Sequence, residues 1–170
     1  MPTGLKASSS IVSVGFEVTE SAPNTYTQNQ VDLNLSPLDR EVFVVLAVNM
    51  DSTFPDALAA TDTAVFCQLS STSQTDIQTL QDANILSRLT NGIRAAGFVD
   101  GGVGFTSQAL ETPPSTLDYI GIIATNDFFV GIKGQNNGAA KQVAGKVYGY
   151  RARASADIYA ALVQSEVLSA

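Results

Sequence analysis

The segment from Glu41 to Met50 constrains the fold most, because it is apolar at almost every position. Its sequence is "EVFVVLAVNM", and it follows the polar turn "SPLDR" directly. A β-strand places alternate side chains on opposite faces of a sheet, so an uninterrupted apolar run has no face left for water. Residues 42–50 therefore predict a central strand that is covered on both sides by sheet or by a partner.

Other segments alternate instead, which indicates strands with one buried face. In "IVSVGFEVT" the apolar residues Val12, Val14, Phe16 and Val18 alternate with small or polar residues. Similar reasoning predicts strands at residues 31–35, 64–71, 117–124, 128–133 and 142–152. The segment "GQNNG" between the last two is predicted to be a hairpin loop, since Asn and Gly tolerate positive φ.

Two segments have helical character. Ile77, Leu80, Leu86 and Leu89 fall near helical intervals and predict a short helix over residues 75–89, although the "TNG" turn that follows equally supports a strand pair. Ser155 can cap a second helix, "ADIYAALVQSEVL", while "IYAALV" would also serve as a last strand.

The sum is seven or eight short strands without alternating βαβ units or internal repeats. This pattern predicts a mainly β chain: an antiparallel β-sandwich of single jelly-roll type with at most one or two short helices. We expect one sandwich domain over residues 11–170, preceded by a flexible N-terminal arm, residues 1–10.

Charge is sparse and unevenly distributed. Charged residues make up 15% of the chain and the formal net charge is −7, which argues against strong contact with nucleic acid. Residues 131–170 nevertheless hold five basic and two acidic residues, against four and fourteen in residues 1–130. This basic segment is either a solvated strand face or a surface that meets an acidic surface on a neighbouring subunit.

Residue types that carry chemistry are scarce. The chain has no histidine, which removes the usual general base and most zinc sites. The single Cys67 lies in an apolar run, and Asp51, Asp56 and Asp62 do not have the spacing of a calcium loop. The glycines of "GGVG" and "AGKV" complete neither a dinucleotide fingerprint nor a phosphate loop. These absences predict a protein that is not an enzyme and needs no cofactor or metal.

Targeting signals are also missing. The start "MPTGLKASSS" has no apolar core of a signal peptide, and no apolar run approaches the roughly 18 residues of a membrane span. We therefore expect a soluble protein made in a cytoplasm.

Taken whole, the chain resembles small virion coat proteins of jelly-roll type. The resemblance lies in the arm "MPTGLKASSS", the β-sandwich body, the long Asn-, Ser- and Thr-rich loops and the C-terminal region "GKVYGYRARASADIYAALVQSEVLSA". It implies a structural subunit that self-assembles into a shell through several interfaces. Its partners would be copies of itself and other virion proteins, and its location the virion, after assembly in the host cytoplasm.

Five residues are predicted to contribute to subunit interfaces. Phe128, Phe129 and Tyr150 would lie near an interface, and Arg151 and Arg153 would contact acidic loops of an adjacent subunit. For the two phenylalanines, a place in the core is at least as consistent with the sequence.

Alternative functions share this composition. They are a capsid-decorating protein, a β-sandwich module that binds carbohydrate or a cell surface, and a jelly-roll enzyme. The lack of histidine argues against the enzyme, since metal-dependent enzymes of this fold need histidine ligands.

Overall fold

The computed structural model describes residues 2–97, 104–110 and 117–169. Within these residues, ten β-strands precede one C-terminal α-helix. In chain order they are β1 (Leu5–Ala7), β2 (Val12–Thr19), β3 (Thr27–Asp32), β4 (Glu41–Ser52), β5 (Thr63–Ser70), β6 (Ile85–Arg94), β7 (Phe105–Leu110), β8 (Gly121–Ile123), β9 (Asp127–Gln135), β10 (Gln142–Ala154) and α1 (Ala156–Leu168). The predicted mainly β class is confirmed.

The strands form two antiparallel sheets of five strands each. In the first sheet, β1 and β2 pair with successive parts of one edge of β10, and β4 and β8 follow on its other side. The second sheet has the order β3-β9-β5-β6-β7. One end of the sandwich, the first end, holds the connections that follow β2, β4 and β9. The opposite, second end holds those that follow β3, β5 and β8.

Eight of the strands pair as one long hairpin folded over on itself. Along the sequence the paired strands are nested. The pair β5–β6 lies between the two strands of the pair β4–β8, which lies between those of β3–β9, and the outermost pair is β2–β10. Divided between two sheets as β2-β10-β4-β8 and β3-β9-β5-β6, this nesting is the jelly-roll arrangement. The predicted jelly-roll sandwich is therefore confirmed, with β1 and β7 as additional edge strands.

The core lies between the sheets. Phe16 of β2 and Phe128 of β9 meet there edge to face, with ring centroids 6.3 Å apart. Residues around them that are completely buried include Val45, Cys67 and Leu89. The alternating pattern of β2 reaches this core through Phe16 and Val18, as the sequence predicts.

The outer face of the first sheet is covered by α1, which explains the apolar run of β4. Phe43 and Val45 face the core, whereas Val42 and Val44 form a second cluster with Leu162 and other side chains of the helix. Thirteen residues at a rise of about 1.5 Å span about 20 Å, roughly the width of four strands. The predicted double cover is confirmed for Val42 to Val45, where the outer layer is a helix of the same chain instead of a sheet or a partner. It does not extend to residue 50 as predicted, because Ala47 and Asn49 are exposed.

The helix crosses the sheet from edge to edge. At its start, the Ser155 backbone N–H donates to the Gly4 carbonyl at 3.3 Å. Near its end, the Glu166 carboxylate accepts hydrogen bonds from the residues that follow β8. Of the two alternatives for the C-terminal segment, the helix is the one that forms.

Two local predictions are wrong. Residues 75–89 contain a loop followed by the start of β6, because side-chain hydrogen bonds fix the loop backbone: the Gln78 N–H donates to the Gln68 side chain at 2.7 Å. The segment "GQNNG" does not close a hairpin, since β9 and β10 belong to different sheets. The segment does use a positive φ, 56° at Asn136, to pass from one sheet to the other.

Part of the predicted N-terminal arm is a strand. Leu5–Ala7 form β1 and pair with Ala152–Ala154 of β10. The division of the chain into a flexible arm and one domain remains a prediction.

Candidate functional site

The described residues gather no group of three or more acidic or cysteine side chains that could hold a metal ion. The acids considered as calcium ligands are engaged elsewhere. Asp56 pairs with Lys141 at 2.6 Å, and Asp62 pairs with Arg94 at 3.1 Å. Gly145, in the phosphate-loop candidate, sits in β10 against the Phe16 ring. Surfaces, rather than a reactive cluster, are therefore the candidate functional sites.

The first end of the sandwich is held by a buried polar network. The Glu20 carboxylate accepts hydrogen bonds from the backbone N–H groups of Gly134 at 2.6 Å and Lys141 at 2.8 Å. The Lys141 ammonium donates to Asp56, and this hydrogen bond lowers the pKa of Asp56 below its ordinary value. The network joins the connections after β2, β4 and β9, so the backbone at this end is fixed.

The second end is held by hydrogen bonds from charged side chains to backbone. Arg151 donates to the Leu33 carbonyl at 2.8 Å. Glu166 accepts from the N–H groups of Ala124 at 2.9 Å and Thr125 at 3.0 Å. Burial raises the pKa of Glu166 above its ordinary value of 4.5, although these hydrogen bonds act in the opposite direction.

The aromatic residues predicted at an interface occupy three different environments. Phe128 is completely buried in the core of its own chain, so its side chain is not available to a neighbour. Tyr150 is half-buried in the cluster beneath α1. Phe129 is half-buried and points away from the core on the outer face of the second sheet, since its neighbours Phe128 and Val130 face inward.

The two predicted interface arginines are near acids of their own chain. Arg151 lies 3.9 Å from Glu41, in addition to its bond to the Leu33 carbonyl. Arg153 lies 3.8 Å from Asp39, and both of these side chains are more than half exposed. The fold brings Arg151 and Arg153 together at the second end but separates them from Phe128 in the core. Their contact with another subunit remains a prediction.

Exposed apolar side chains are the surface feature that the sequence reasoning missed. Leu38 is 97% exposed at the second end, and Phe54 is 72% exposed at the first. Others are exposed to a lesser extent at or near the first end (Leu58, Phe105) and the second end (Ile11, Val12, Leu80, Val167, Leu168). A signal was present: Leu38 lies in "SPLDR" and Phe54 in "STFPD", where a large apolar residue has no strand or helix face on which to be buried.

Comparisons with known proteins give little to set beside this geometry. No protein-family model matches the chain, and no curated protein matches it. A solved structure titled Desmodium yellow mottle tymovirus is similar over 92% of this chain and 95% of its own, with 13% identity and a TM-score of 0.32. That TM-score is too low to assign a shared fold, so the jelly roll rests on the strand pairing. In the part of the chain that the structure covers, no helix is both long and apolar enough to span a membrane.

Proposed function

We propose that the chain is a structural subunit of a virion shell and assembles with copies of itself. The observation that carries this proposal is the presence of exposed apolar side chains at both ends of one sandwich, with Phe54 the most exposed at the first end and Leu38 at the second. Single exposed apolar residues are common on monomers. Here they recur at both ends, and a shell subunit needs at least two separate contact surfaces to propagate a lattice.

The energetics of these residues favour association. Full burial of a Leu or Phe side chain contributes about 1.5–3 kcal/mol. Several such residues at each end would give each interface an apolar centre. The low charged content, 15%, fits the depletion of charged residues at interface centres.

The fold is compatible with this role but does not select it. Jelly rolls occur in viral capsids, in lectins and in cupin enzymes, so function has to be argued from surfaces. The described side chains give the enzyme alternative no reactive cluster: Asp56 and Asp62 form ion pairs with Lys141 and Arg94, and no group of three or more acidic or cysteine side chains is brought together. A decoration protein would use one end alone and form a small closed oligomer.

The predicted interface residues enter the proposal at the second end. Arg153 is exposed and its partner Asp39 is 3.8 Å away, a distance at which the pair contributes little within one chain. Arg153 is therefore free to pair with an acidic loop of a neighbour at small cost. Arg151 is held by Leu33 and is expected to support the surface rather than to bridge subunits. Phe129 remains a proposed contact on the outer face of the second sheet.

The test is light scattering after size-exclusion chromatography, followed by negative-stain microscopy, over a range of ionic strength. The proposal predicts sheets, rings or closed shells for the native chain. Leu38→Asp and Phe54→Asp should each stop growth at a small oligomer, because each removes one of two surfaces. Ala59→Asp, an exposed position in the same connection as Phe54, should assemble normally.

Three outcomes decide between the alternatives. If Leu38→Asp and Phe54→Asp both lose assembly while the control Ala59→Asp still assembles, the result supports a shell subunit. A single closed oligomer that depends on only one end supports a decoration protein instead. A monomer at all ionic strengths overturns self-assembly as the function of the isolated chain.

A further inference from the structure

The outer face of the second sheet carries a groove with two lobes that meet at Phe66. Val65 and Cys67 point into the core and are completely buried, so Phe66 between them points outward from β5. The lobes have volumes of about 280 Å³ and 360 Å³, and Phe66 and Gln135 line both of them. Phe66 and Gln135 therefore lie at the boundary that the two lobes share.

The first lobe exists because its floor is made of small residues. Ala64 pairs with Gly92 on one side and with Gln135 on the other, which leaves space beside Phe66. Thr90 lines the same lobe, and the ion pair of Asp62 with Arg94 at 3.1 Å forms its rim. The Phe66 ring is thus surrounded by a hydroxyl, an amide, a carboxylate and a guanidinium group, which belong to Thr90, Gln135, Asp62 and Arg94.

The second lobe contains an arginine whose bonding is incomplete. Arg88 stacks over Phe66, with its guanidinium carbon 5.8 Å from the ring centroid. Its Nε is buried and has no hydrogen-bond partner, and no ion pair of Arg88 is formed within the described residues. The neighbouring Lys133 is different, because it donates to both carboxylate oxygens of Asp76 at 2.9 Å. A buried N–H donor without an acceptor is costly, so Arg88 is not anchored by its own chain through Nε. Because Nε itself is enclosed, an anionic ligand would bond to the outer N–H groups of the guanidinium.

The groove has a local charge opposite to that of the chain. Its three cations, Arg88, Arg94 and Lys133, exceed its two carboxylates, Asp62 and Asp76, by one positive charge, whereas the whole chain carries −7. The excess cation is Arg88, which forms no ion pair with any residue that the structure describes. Charge complementarity therefore favours a ligand with a single negative group placed beside an apolar face.

The shape of the groove favours a compact ring over an extended peptide. Peptides commonly dock on sheets by pairing with a free edge strand. The groove is centred on β5, which already pairs with β6 and β9 along its length, so it offers no free edge. The lobe volumes fall near the lower limit of small-molecule sites, about 300–1,000 Å³.

We propose that this groove binds a carboxylated sugar. The carboxylate would bind the Arg88 guanidinium, the C–H face of the sugar ring would pack on Phe66, and hydroxyl groups would bond to Gln135 and Thr90. The proposal does not depend on self-assembly, because every residue of the groove belongs to one chain. A carbohydrate-binding module is among the alternatives that the composition allows, but no sugar-stacking cleft is apparent in the sequence, which lacks Trp and has scattered tyrosines.

The experiment titrates the purified chain with sodium glucuronate and, separately, with sodium N-acetylneuraminate. Binding is detected by saturation-transfer NMR and measured by calorimetry. At least one of the two acids should bind saturably, and glucose should bind about ten-fold or more weakly, because it lacks the charge-assisted hydrogen bond. Arg88→Gln should weaken binding of the acid by about ten-fold or more. Arg153→Gln, which removes an exposed arginine elsewhere, should leave it unchanged.

A second variant tests the location without removing a charge. Thr90→Tyr places a larger, strand-compatible side chain in the first lobe and should abolish binding. Thr19→Tyr, at an exposed position of β2, is the matched control. Circular dichroism of each variant establishes that it is folded before its binding is compared.

Four outcomes would overturn the proposal. These are no saturable binding of either sugar acid, binding that Arg88→Gln and Thr90→Tyr leave intact, equal binding of acetate, and binding of an oligoglutamate peptide in place of the sugar acids. Acetate would indicate a simple anion site, and the peptide would indicate a protein partner. A chain that fails to assemble but binds glucuronate separates this proposal from that of a shell subunit.

Discussion

The Glu166 side chain in the last turns of α1 accepts a hydrogen bond from the backbone N–H of Ala124, at 2.9 Å. Ala124 follows β8, the edge strand of the first sheet, whereas the helix starts at the opposite edge beside Gly4. This one carboxylate therefore fastens the far end of the helix across the whole sheet. Its burial also makes it the group whose ionisation should most affect the attachment.

The first prediction concerns pH. The pKa of Glu166 is raised on folding, so the folded state binds its proton more tightly than the unfolded state does, and ionisation opposes folding. Its contribution is full below the ordinary pKa of 4.5 and is lost as the pH rises through the higher folded value. Relative to Glu166→Gln, the native chain should lose unfolding free energy as pH rises. Urea unfolding of both proteins across this range measures the difference, and a constant difference would contradict the prediction.

The second prediction concerns the helix cover over β4. Leu162→Asp places a charge against Val42 and Val44, and should lower the unfolding free energy by about 2 kcal/mol or more. The exposed Gln164→Asp carries the same charge on the same helix and should stay within about 0.5 kcal/mol of the native value. Binding of a hydrophobic dye at low denaturant should increase for the first variant alone. Equal stability of the two variants would show that the helix does not protect the sheet.

The third prediction concerns a glycine in the middle of β10. A Cβ on Gly145 would overlap the Asn49 carbonyl oxygen and lie 2.5 Å from Cζ of Phe16. Gly145→Ala should therefore destabilise the chain by about 3 kcal/mol through overpacking. Gly15, in neighbouring β2, has its nearest such contact at 3.9 Å, so Gly15→Ala is the control and should be nearly neutral. Thermal unfolding of both variants makes the comparison, and a stable Gly145→Ala would refute the close packing.

The fourth prediction concerns the thiol. Cys67 is completely buried, and burial raises its pKa to about 12. The thiolate that reacts with labelling reagents is therefore almost absent at neutral pH. A disulfide reagent should label Cys67 in guanidinium chloride but not in native buffer. Rapid labelling of the native chain would indicate that the second sheet opens.

Strand positions were predictable where the pattern is local. The alternation over residues 12–18 and the apolar run over residues 42–50 each identify a strand from its own sequence, because the period of two is a property of a single strand. The double burial of Val42 to Val45 was predictable too. The identity of its outer cover was not, since α1 lies more than one hundred residues further along the chain.

The errors occurred where distant contacts decide local structure. The apolar positions Ile77 and Leu80 have helical spacing, but the side chain of Gln68 binds the backbone of residue 78 and fixes a loop. The segment "GQNNG" has hairpin chemistry, yet β9 pairs with β3 and β5, and β10 with β2 and β4. Strand pairing of this kind depends on the whole chain and cannot be predicted from a five-residue segment.

The surfaces were less predictable than the fold. To predict that Phe66 lies beside Arg88, one must know the register of β5 against β6, and this register cannot be derived from a short segment of sequence. The exposed Leu38 and Phe54 could have been found from their polar, proline-containing surroundings. The interface arginines could not be assigned to a partner, because both have acids of their own chain nearby.

The position of β10 has a consequence for how the protein is made. Among the described strands β10 comes last, and it pairs with β1, β2 and β4, so the first sheet lacks its central strand until residues 142–154 have left the ribosome. Such pairing between distant segments is slow. Nascent chains stalled before residue 142 should be digested readily by protease, whereas the released chain should resist it. The first sheet, and with it the contact surfaces proposed at its two ends, would therefore be completed only after β10 has been synthesised.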